Sequence, residues 1–536
     1  MSATAASAPP ARAVRIDPRR AAPVVVAGVL GAVYVIVSPP SLDLAAHLLR
    51  AQIFRTEGFG IWSNWWYQGH HLPGYSVLFP PAAAALSPQL AAALAATATA
   101  FLFELWAHDN FGEDAWLGAV WFGAATATNL FTGRLAFAFG LLPAVGAALA
   151  LSRGRPWLAS ALAVVTALCS PVSALFAALA GAAHAIDRLV TAGRVDVRGA
   201  LPGLGMAVCA LAPVAALAIA FPEGGDEPFT FATLAPVLVI AAVALVVVRK
   251  PTALRVGIAL YALGCIAAYV IPTPVGSNAA RLGTLVAGPI AALIFWRRRP
   301  WVLALVAVPL VYVQWQAPVR DVSTAAGDPS ASVHFYDPLL DFLARQTGPP
   351  FRVEIPFTLF HWEAYRVAPR FPLARGWERQ LDVKDNHLFY RGPFNPAIYA
   401  AWLHATAVRF VATTDAPLDY SAHREAQLLT HPPPYLKLAF HSRHWRVYEV
   451  SHATPIVTGV AKLRAMDVDS FTLTAARPGD AFIRVHFTPY WALSGVSGCV
   501  EPWGDYTRAT VRERGPFKLV IRFSLGRIHA RSPRCS

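Results

Sequence analysis

Eleven apolar runs follow one another between residues 22 and 316, separated by short polar loops. They cover 22–38, 76–106, 115–131, 134–151, 157–169, 171–187, 201–221, 231–248, 254–272, 280–296 and 300–316. All but 157–169 reach roughly the 17 residues at which a helix begins to span a bilayer. The run 76–106 is long enough to be tilted, or broken at Pro80-Pro81 or Pro88. Ser170-Pro171 reads as the turn of a short hairpin, with one kinked helix as the alternative. The run 22–38 reads as an uncleaved first span, because no small-residue cleavage site precedes "SPPSLD".

Beyond residue 316 the pattern changes. No run there is long enough to span, which puts a boundary near Gln316–Pro318. Residues 317–452 mix helix ("FYDPLLDFLARQ", "NPAIYAAWLHA") with strand ("FRVEIPF", "VRFVATT", "HWRVYEV"), an α/β region. Residues 453–536 alternate apolar and polar positions in "SFTLTAA", "FIRVHFTP" and "KLVIRFS", with turns such as "RPGD" between them, which predicts a β-sandwich. The expected architecture is therefore an α-helical polytopic membrane protein of about eleven spans with a C-terminal α/β plus β-sandwich domain.

Composition agrees. The chain has 536 residues, 56% hydrophobic and 14% charged. An ordinary soluble protein carries about 25% charged residues, and a disordered one still more. The net charge of +14 does not point to a nucleic acid, because many arginines stand in clusters between spans. These are Arg15/Arg19/Arg20, Arg153/Arg155, Arg188/Arg194/Arg198, Arg249/Lys250/Arg255 and Arg297/Arg298/Arg299. Eleven spans place all of them on one side, the side of the N-terminal tail 1–21, which the positive-inside rule makes cytoplasmic. The C-terminal domain is then extracytoplasmic, on a multi-pass protein of the cell (plasma) membrane. The acidic loop 222–228 falls outside. The loop 108–114, acidic yet inside, is the one mismatch.

Cys169, Cys209 and Cys265 lie in spans, where free cysteine packs as a small apolar side chain. Cys499 and Cys535 lie in the outer domain, where oxidising conditions permit a bridge; two free thiols are the alternative.

Chemistry concentrates in the first outer loop, 39–75. Residues 42–57 have helical spacing, with Leu42, Ala45, Leu49 and Ile53 as an apolar stripe and Asp43, His47 and Arg50 on another side. This predicts an amphipathic helix on the membrane surface. Asp43 and His47, four apart, project from one face as a base pair or as ligands of a shared divalent cation. The alternatives are a helix cap for Asp43 and interfacial packing for His47. Then come Trp62, Asn64, Trp65, Trp66, His70, His71 and Tyr75, either a sugar-stacking platform or an interfacial aromatic belt. Arg134 and Arg281 break the charge rule by lying at the outer ends of spans. With Asn278 they form a candidate phosphate grip, against the alternative of snorkelling to headgroups. In "ARGWERQ", Arg375, Trp377, Glu378 and Arg379 are candidates for acceptor-glycan contact or for docking onto the membrane part. No phosphate-binding loop, dinucleotide fingerprint, serine elbow or zinc spacing occurs.

With "SLDLAAH" soon after the first span and a helix following it, the sequence resembles the GT-C superfamily of multi-span, polyprenyl-phosphate-sugar glycosyltransferases. The run "DLAAH … GFGIWSNWWYQGHHLPGYSVLFPP", with "TNLFTGRLAFAFG", "CSPVSALF", "GSNAARLG" and "ARGWERQLDVKDNHLFYRGPF", is similar to actinobacterial integral membrane proteins described as related to 6-pyruvoyl-tetrahydropterin synthase. The resemblance implies transfer of a sugar from a polyprenyl-phosphate donor to a glycan or lipid acceptor of the cell envelope, with Asp43 as general base. Many superfamily members carry paired acids in this loop; here Asp43 stands alone, with Glu57 much later. A divalent cation is the only cofactor this pattern admits. Two other readings fit the same features: a non-enzymatic transporter or flippase of envelope precursors, and a degenerate GT-C scaffold with a glycan-binding outer domain.

Overall fold

In the computed structural model, residues 17–191 and 196–535 are described. Arg15 and Arg194 of the basic clusters lie outside the described residues. Eight helical runs are long and apolar enough to cross a membrane, the mark of a multi-pass membrane protein, and two shorter apolar helices, Pro156–Cys169 and Phe231–Val247, accompany them. The longest run, Pro88–Phe131, has 44 residues. It reverses at the 3-10 turn Gly112–Ala115, so that Pro88–Phe111 packs against Trp116–Phe131. The predicted run 76–106 breaks at Ser87-Pro88, where Ser87 Oγ accepts the Leu90 N–H and caps the second helix. Pro156–Cys169 and Pro171–Thr191 form the predicted hairpin. Its turn is tied down by Ser76 Oγ donating to the Cys169 carbonyl at 2.7 Å and by the Val77 and Leu78 N–H groups donating to Leu168.

The mismatched loop 108–114 is explained by ion pairs. Asp109 pairs with Arg153 at 2.7 Å and Asp114 with Arg297 at 2.8 Å, while Glu104 binds Arg20 at 2.8 Å. Its acids therefore sit among the basic clusters, at the bundle end away from the C-terminal domain. The last bundle helix, Pro300–Ala325, runs through Pro309 and Pro318 and so continues past Gln316–Pro318.

The C-terminal region divides as its alternation predicts. A four-stranded sheet ordered 352–354, 408–414, 445–450, 436–441 is flanked by the helices Asp337–Ala344 and Pro396–Ala405. Beyond it a five-stranded and a four-stranded antiparallel sheet form the sandwich around Phe471, Leu473, Ile483, Val485, Trp491 and Leu519. Trp62, from the first loop of the bundle, belongs to that same core. Cys499 and Cys535 are disulfide-bonded; Cys169, Cys209 and Cys265 are free.

Candidate functional site

The segment after the first span forms the helix Leu44–Glu57 and a two-residue hairpin, Trp62–Ser63 against His70–His71. The C-terminal domain closes over both. Tyr67 Oη donates to the Gly376 carbonyl and accepts the Glu378 N–H at 2.9 Å; Gln68 Nε2 donates to the Ala374 carbonyl at 2.8 Å. Gly376 is required here, because a Cβ would strike the Trp66 ring. The "ARGWERQ" strip is thus the seam between domain and bundle.

This cover corrects two expectations. The helix Leu44–Glu57 does not lie on a surface with a free polar face, since Leu44, His47, Leu49 and Arg50 are all buried. Nor are the aromatics an open platform or a belt. Trp62 and Trp66 are 2% and 1% exposed, and His70 and His71 are buried with them. Trp62 Nε1 donates to Asn64 Oδ1 at 2.8 Å, and Asn64 Nδ2 to the Asp467 carbonyl at 3.0 Å, so Asn64 links loop to sandwich. His71 sits between Glu223 at 2.7 Å and Thr488 at 3.0 Å. Trp65 and Tyr75 keep partial exposure.

The acid and the arginines do converge. Asp43 occupies the cap position but its side chain makes no cap bond; instead Oδ1 accepts the Trp377 Nε1–H at 3.0 Å. The turn after Phe131 touches the same place. Gly133 takes φ +75°, a conformation that favours glycine, and a Cβ there would press on Ser41 and the Asp43 N–H. Arg134 follows directly and lies within electrostatic reach of both Arg281 and Asp43. Arg281 opens the helix Arg281–Phe295, after the 3-10 turn Gly276–Ala280 that carries Asn278. Among the described residues, neither Arg134 nor Arg281 makes a side-chain hydrogen bond or ion pair. Arg281 only passes over the Phe137 ring at 5.5 Å. Two guanidiniums that repel each other and lack a bonded counter-ion among the described residues, with Asp43, Asp321 and Glu227 in electrostatic reach, make a candidate anion site.

His47 is behind this surface. Its Nε2–H donates to the Gly133 carbonyl at 3.1 Å and its ring packs on Phe79 and Tyr75. Burial brings its pKa down to about 4, so it is neutral at pH 7, with Nδ1 unpartnered. It braces the Asp43 helix against the Gly133 turn.

Two participants, Glu227 and Arg50, were not singled out as site residues from sequence, and Trp377 was expected at an acceptor glycan or a docking seam rather than at Asp43. Trp377 holds Asp43. Glu227, in the acidic loop 222–228, lies in electrostatic reach of Arg281 and Asp43, accepts from Ser277 Oγ at 3.1 Å, and is raised by burial. Arg50 pairs with Glu378 and stacks on Tyr75 at 4.0 Å. The signal for Glu227 was acidity in an outer loop; for Arg50 it was its place beside Asp43 and His47. The ligand set does not fit a divalent cation. No group of three or more His, Cys, Asp or Glu side chains among the described residues could hold one, and the Arg134 guanidinium lies in electrostatic reach of Asp43 alongside the acids Glu227 and Glu378.

Beside this site, Arg50 also borders an apolar cleft of about 240 Å³, walled by Ile53, Phe54, Phe59, Leu72, Val77 and Leu217 among others. Comparison with known proteins finds no family model that matches the chain and no curated protein similar to it.

Proposed function

We propose that the protein is a GT-C-like glycosyltransferase of the cell envelope, with eleven spans, a cytoplasmic N-terminus and an extracytoplasmic C-terminal domain. The observation that carries this reading is the proximity of Asp43 to Arg134 and Arg281, whose side chains lack any bonded counter-ion among the described residues. An anionic lipid-linked donor offers the two guanidiniums a directly bonded counter-ion, and the apolar cleft that Arg50 borders offers a path for its chain.

The chemistry follows from these groups. Asp43 Oδ2, free of hydrogen bonds among the described residues, takes the proton of an acceptor hydroxyl. The acceptor oxygen bonds to the anomeric carbon as the bond from that carbon to the phosphate oxygen breaks. The polyprenyl phosphate leaves with the electron pair, and Arg134 and Arg281 stabilise its growing charge. No metal ion enters these steps. Trp377 and His47 act as positioning residues.

Membranes carrying the protein, given a labelled polyprenyl-phosphate sugar, are expected to release labelled product, and Asp43→Asn to lose that activity. Full activity in Asp43→Asn overturns the mechanism. Movement of the donor across proteoliposomes without chemical change supports the transporter reading instead.

A further inference from the structure

After the last long strand, Gly515–Ile521, the chain leaves the sandwich edge and returns as Arg534–Cys535, paired to Gly498–Trp503 and bonded to it through Cys499. The segment 522–535 carries Arg522, Arg527, Arg531 and Arg534 and no acidic residue. Its guanidiniums bond chiefly to backbone carbonyls. Arg527 donates to Pro489 at 3.2 Å and Ser532 at 2.6 Å, and Arg534 to Tyr490 at 3.2 Å and Arg522 at 2.8 Å. Arg522 reaches only Ser494 Oγ at 3.5 Å. Among the described residues, none of the four arginines has an ion pair. Burial, then Arg527 and Arg522, hold the Arg534 guanidinium below its ordinary range, so these three cations crowd one another.

Two large apolar side chains stand exposed among them, Phe523 at 47% and Leu525 at 75%. The segment also has a fixed height. Tyr490 Oη donates to the carbonyl of Ala220, the last residue of the candidate span Val197–Ala220, at 2.6 Å. The Phe523 ring lies 5.7 Å from Phe221 and 5.1 Å from Tyr490. The unpaired cations and bare apolar side chains therefore lie at the level where a spanning helix leaves the bilayer. A soluble polyanion would use the charge but not the apolar pair. A bilayer interface uses both.

We propose that the 522–535 segment is a docking surface for anionic phospholipid headgroups. Phe523 and Leu525 enter the headgroup layer, and Arg522, Arg527, Arg531 and Arg534 bind lipid phosphates. The contact seats the sandwich on the membrane and is independent of the Asp43 site.

The test is hydrogen–deuterium exchange of the full chain in nanodiscs. One set holds phosphatidylcholine alone and the other equal parts phosphatidylcholine and phosphatidylglycerol. Exchange of the 522–535 peptide is expected to slow about fivefold or more in the anionic discs, and added salt is expected to reverse this. Arg522→Gln with Arg531→Gln removes two exposed charges, and the protection of the 515–521 strand reports that the sandwich stays folded. This variant is expected to lose most of the lipid effect, and Leu525→Ser part of it. Equal exchange in both discs, or an unchanged lipid effect in the double variant, overturns the proposal. So does equal slowing by inorganic phosphate added to phosphatidylcholine discs, which would make the segment a small-anion site.

Discussion

Trp377 Nε1–H donates to Asp43 Oδ1 at 3.0 Å, so a residue of the C-terminal domain holds the carboxylate at the head of the first loop helix. The indole is itself fixed, stacked on His361 at 3.3 Å between ring centroids. Trp377→Phe keeps the stack and removes the donor. A hydrogen bond to a charged group contributes about 1.5–3 kcal/mol, so the variant should lose roughly 10–100-fold in kcat while inserting normally. Labelled-donor turnover measures it, and an unchanged kcat removes Trp377 from the account.

Arg134 and Arg281 share one task in this reading. Arg281→Gln should raise the KM for a lipid-phosphate donor about tenfold or more, through loss of a charge-assisted contact. The double variant Arg134→Gln with Arg281→Gln should fall short of the summed effects, because both side chains hold the same phosphate. Titration of donor in detergent-purified protein measures both; strict additivity argues for two separate sites.

Arg50 and Glu378 form a buried pair across the seam. Removing one partner strands the other charge. Glu378→Gln and Arg50→Met should each cost about 3–5 kcal/mol, and the combined variant less than either. Thermal unfolding of the full chain reads this as a Tm that partly recovers in the double variant. A double variant worse than both singles contradicts it.

Burial depresses His47 and His70 from 6.5 to about 4. The unfolded chain therefore binds protons that the folded chain does not. The stability held by these neutral rings is complete above pH 6.5 and lost as pH falls through 4, on the order of 3 kcal/mol for each ring. His70, with its ring stacked on Trp66 and its Nε2 3.9 Å from Glu378 Oε1, beyond hydrogen-bond distance, is the cleaner probe, with Glu223 raising its pKa and Arg50 lowering it. His70→Phe should flatten the fall of Tm between pH 6.5 and 4; an unchanged slope contradicts the assignment.

Glu425 works in the opposite sense. Burial pushes it from 4.5 up to about 7, beside Glu354, which burial raises well above its ordinary value. Arg375, in a bidentate pair with Asp382, lies 3.5 Å from Glu425 and 3.8 Å from Glu354 and cannot neutralise all three acids. The folded state then holds a proton that the unfolded chain has lost. Stability should decline as pH rises from 4.5 through 7, and Glu425→Gln should remove that part of the decline. Denaturant midpoints across the range measure it.

Much of the fold was legible because it is written locally. Apolar runs marked the helices, arginine clusters marked one end of the bundle, and alternation marked the strands of the sandwich. The Ser170-Pro171 dipeptide suggested the hairpin, and charge placement decided for it over one kinked helix. What was not legible is what covers what. Trp62 and Trp66 look like surface aromatics until the C-terminal domain is laid over them, and no local pattern encodes a partner about 300 residues away, such as the Ala364 carbonyl that accepts Trp66 Nε1–H. The same distance hid Trp377 from Asp43. The loop 108–114 looked anomalous because its partners, Arg153 and Arg297, lie far along the chain. Arg134 and Arg281 were visible as charges at the wrong ends of apolar runs and Asp43 by its spacing to His47, and the fold brings Arg134 within electrostatic reach of both others.

The proposed function requires a lipid phosphate to bind Arg134 and Arg281 next to Asp43. A photoactivatable polyprenyl phosphate, cross-linked in membranes and mapped by peptide mass spectrometry, tests it most directly. Labelling is expected to concentrate on residues 41–54, 131–138 and 276–285, with a loss of about tenfold in Arg134→Gln/Arg281→Gln. Labelling spread over the lipid-facing helices, or undiminished in the double variant, would contradict it.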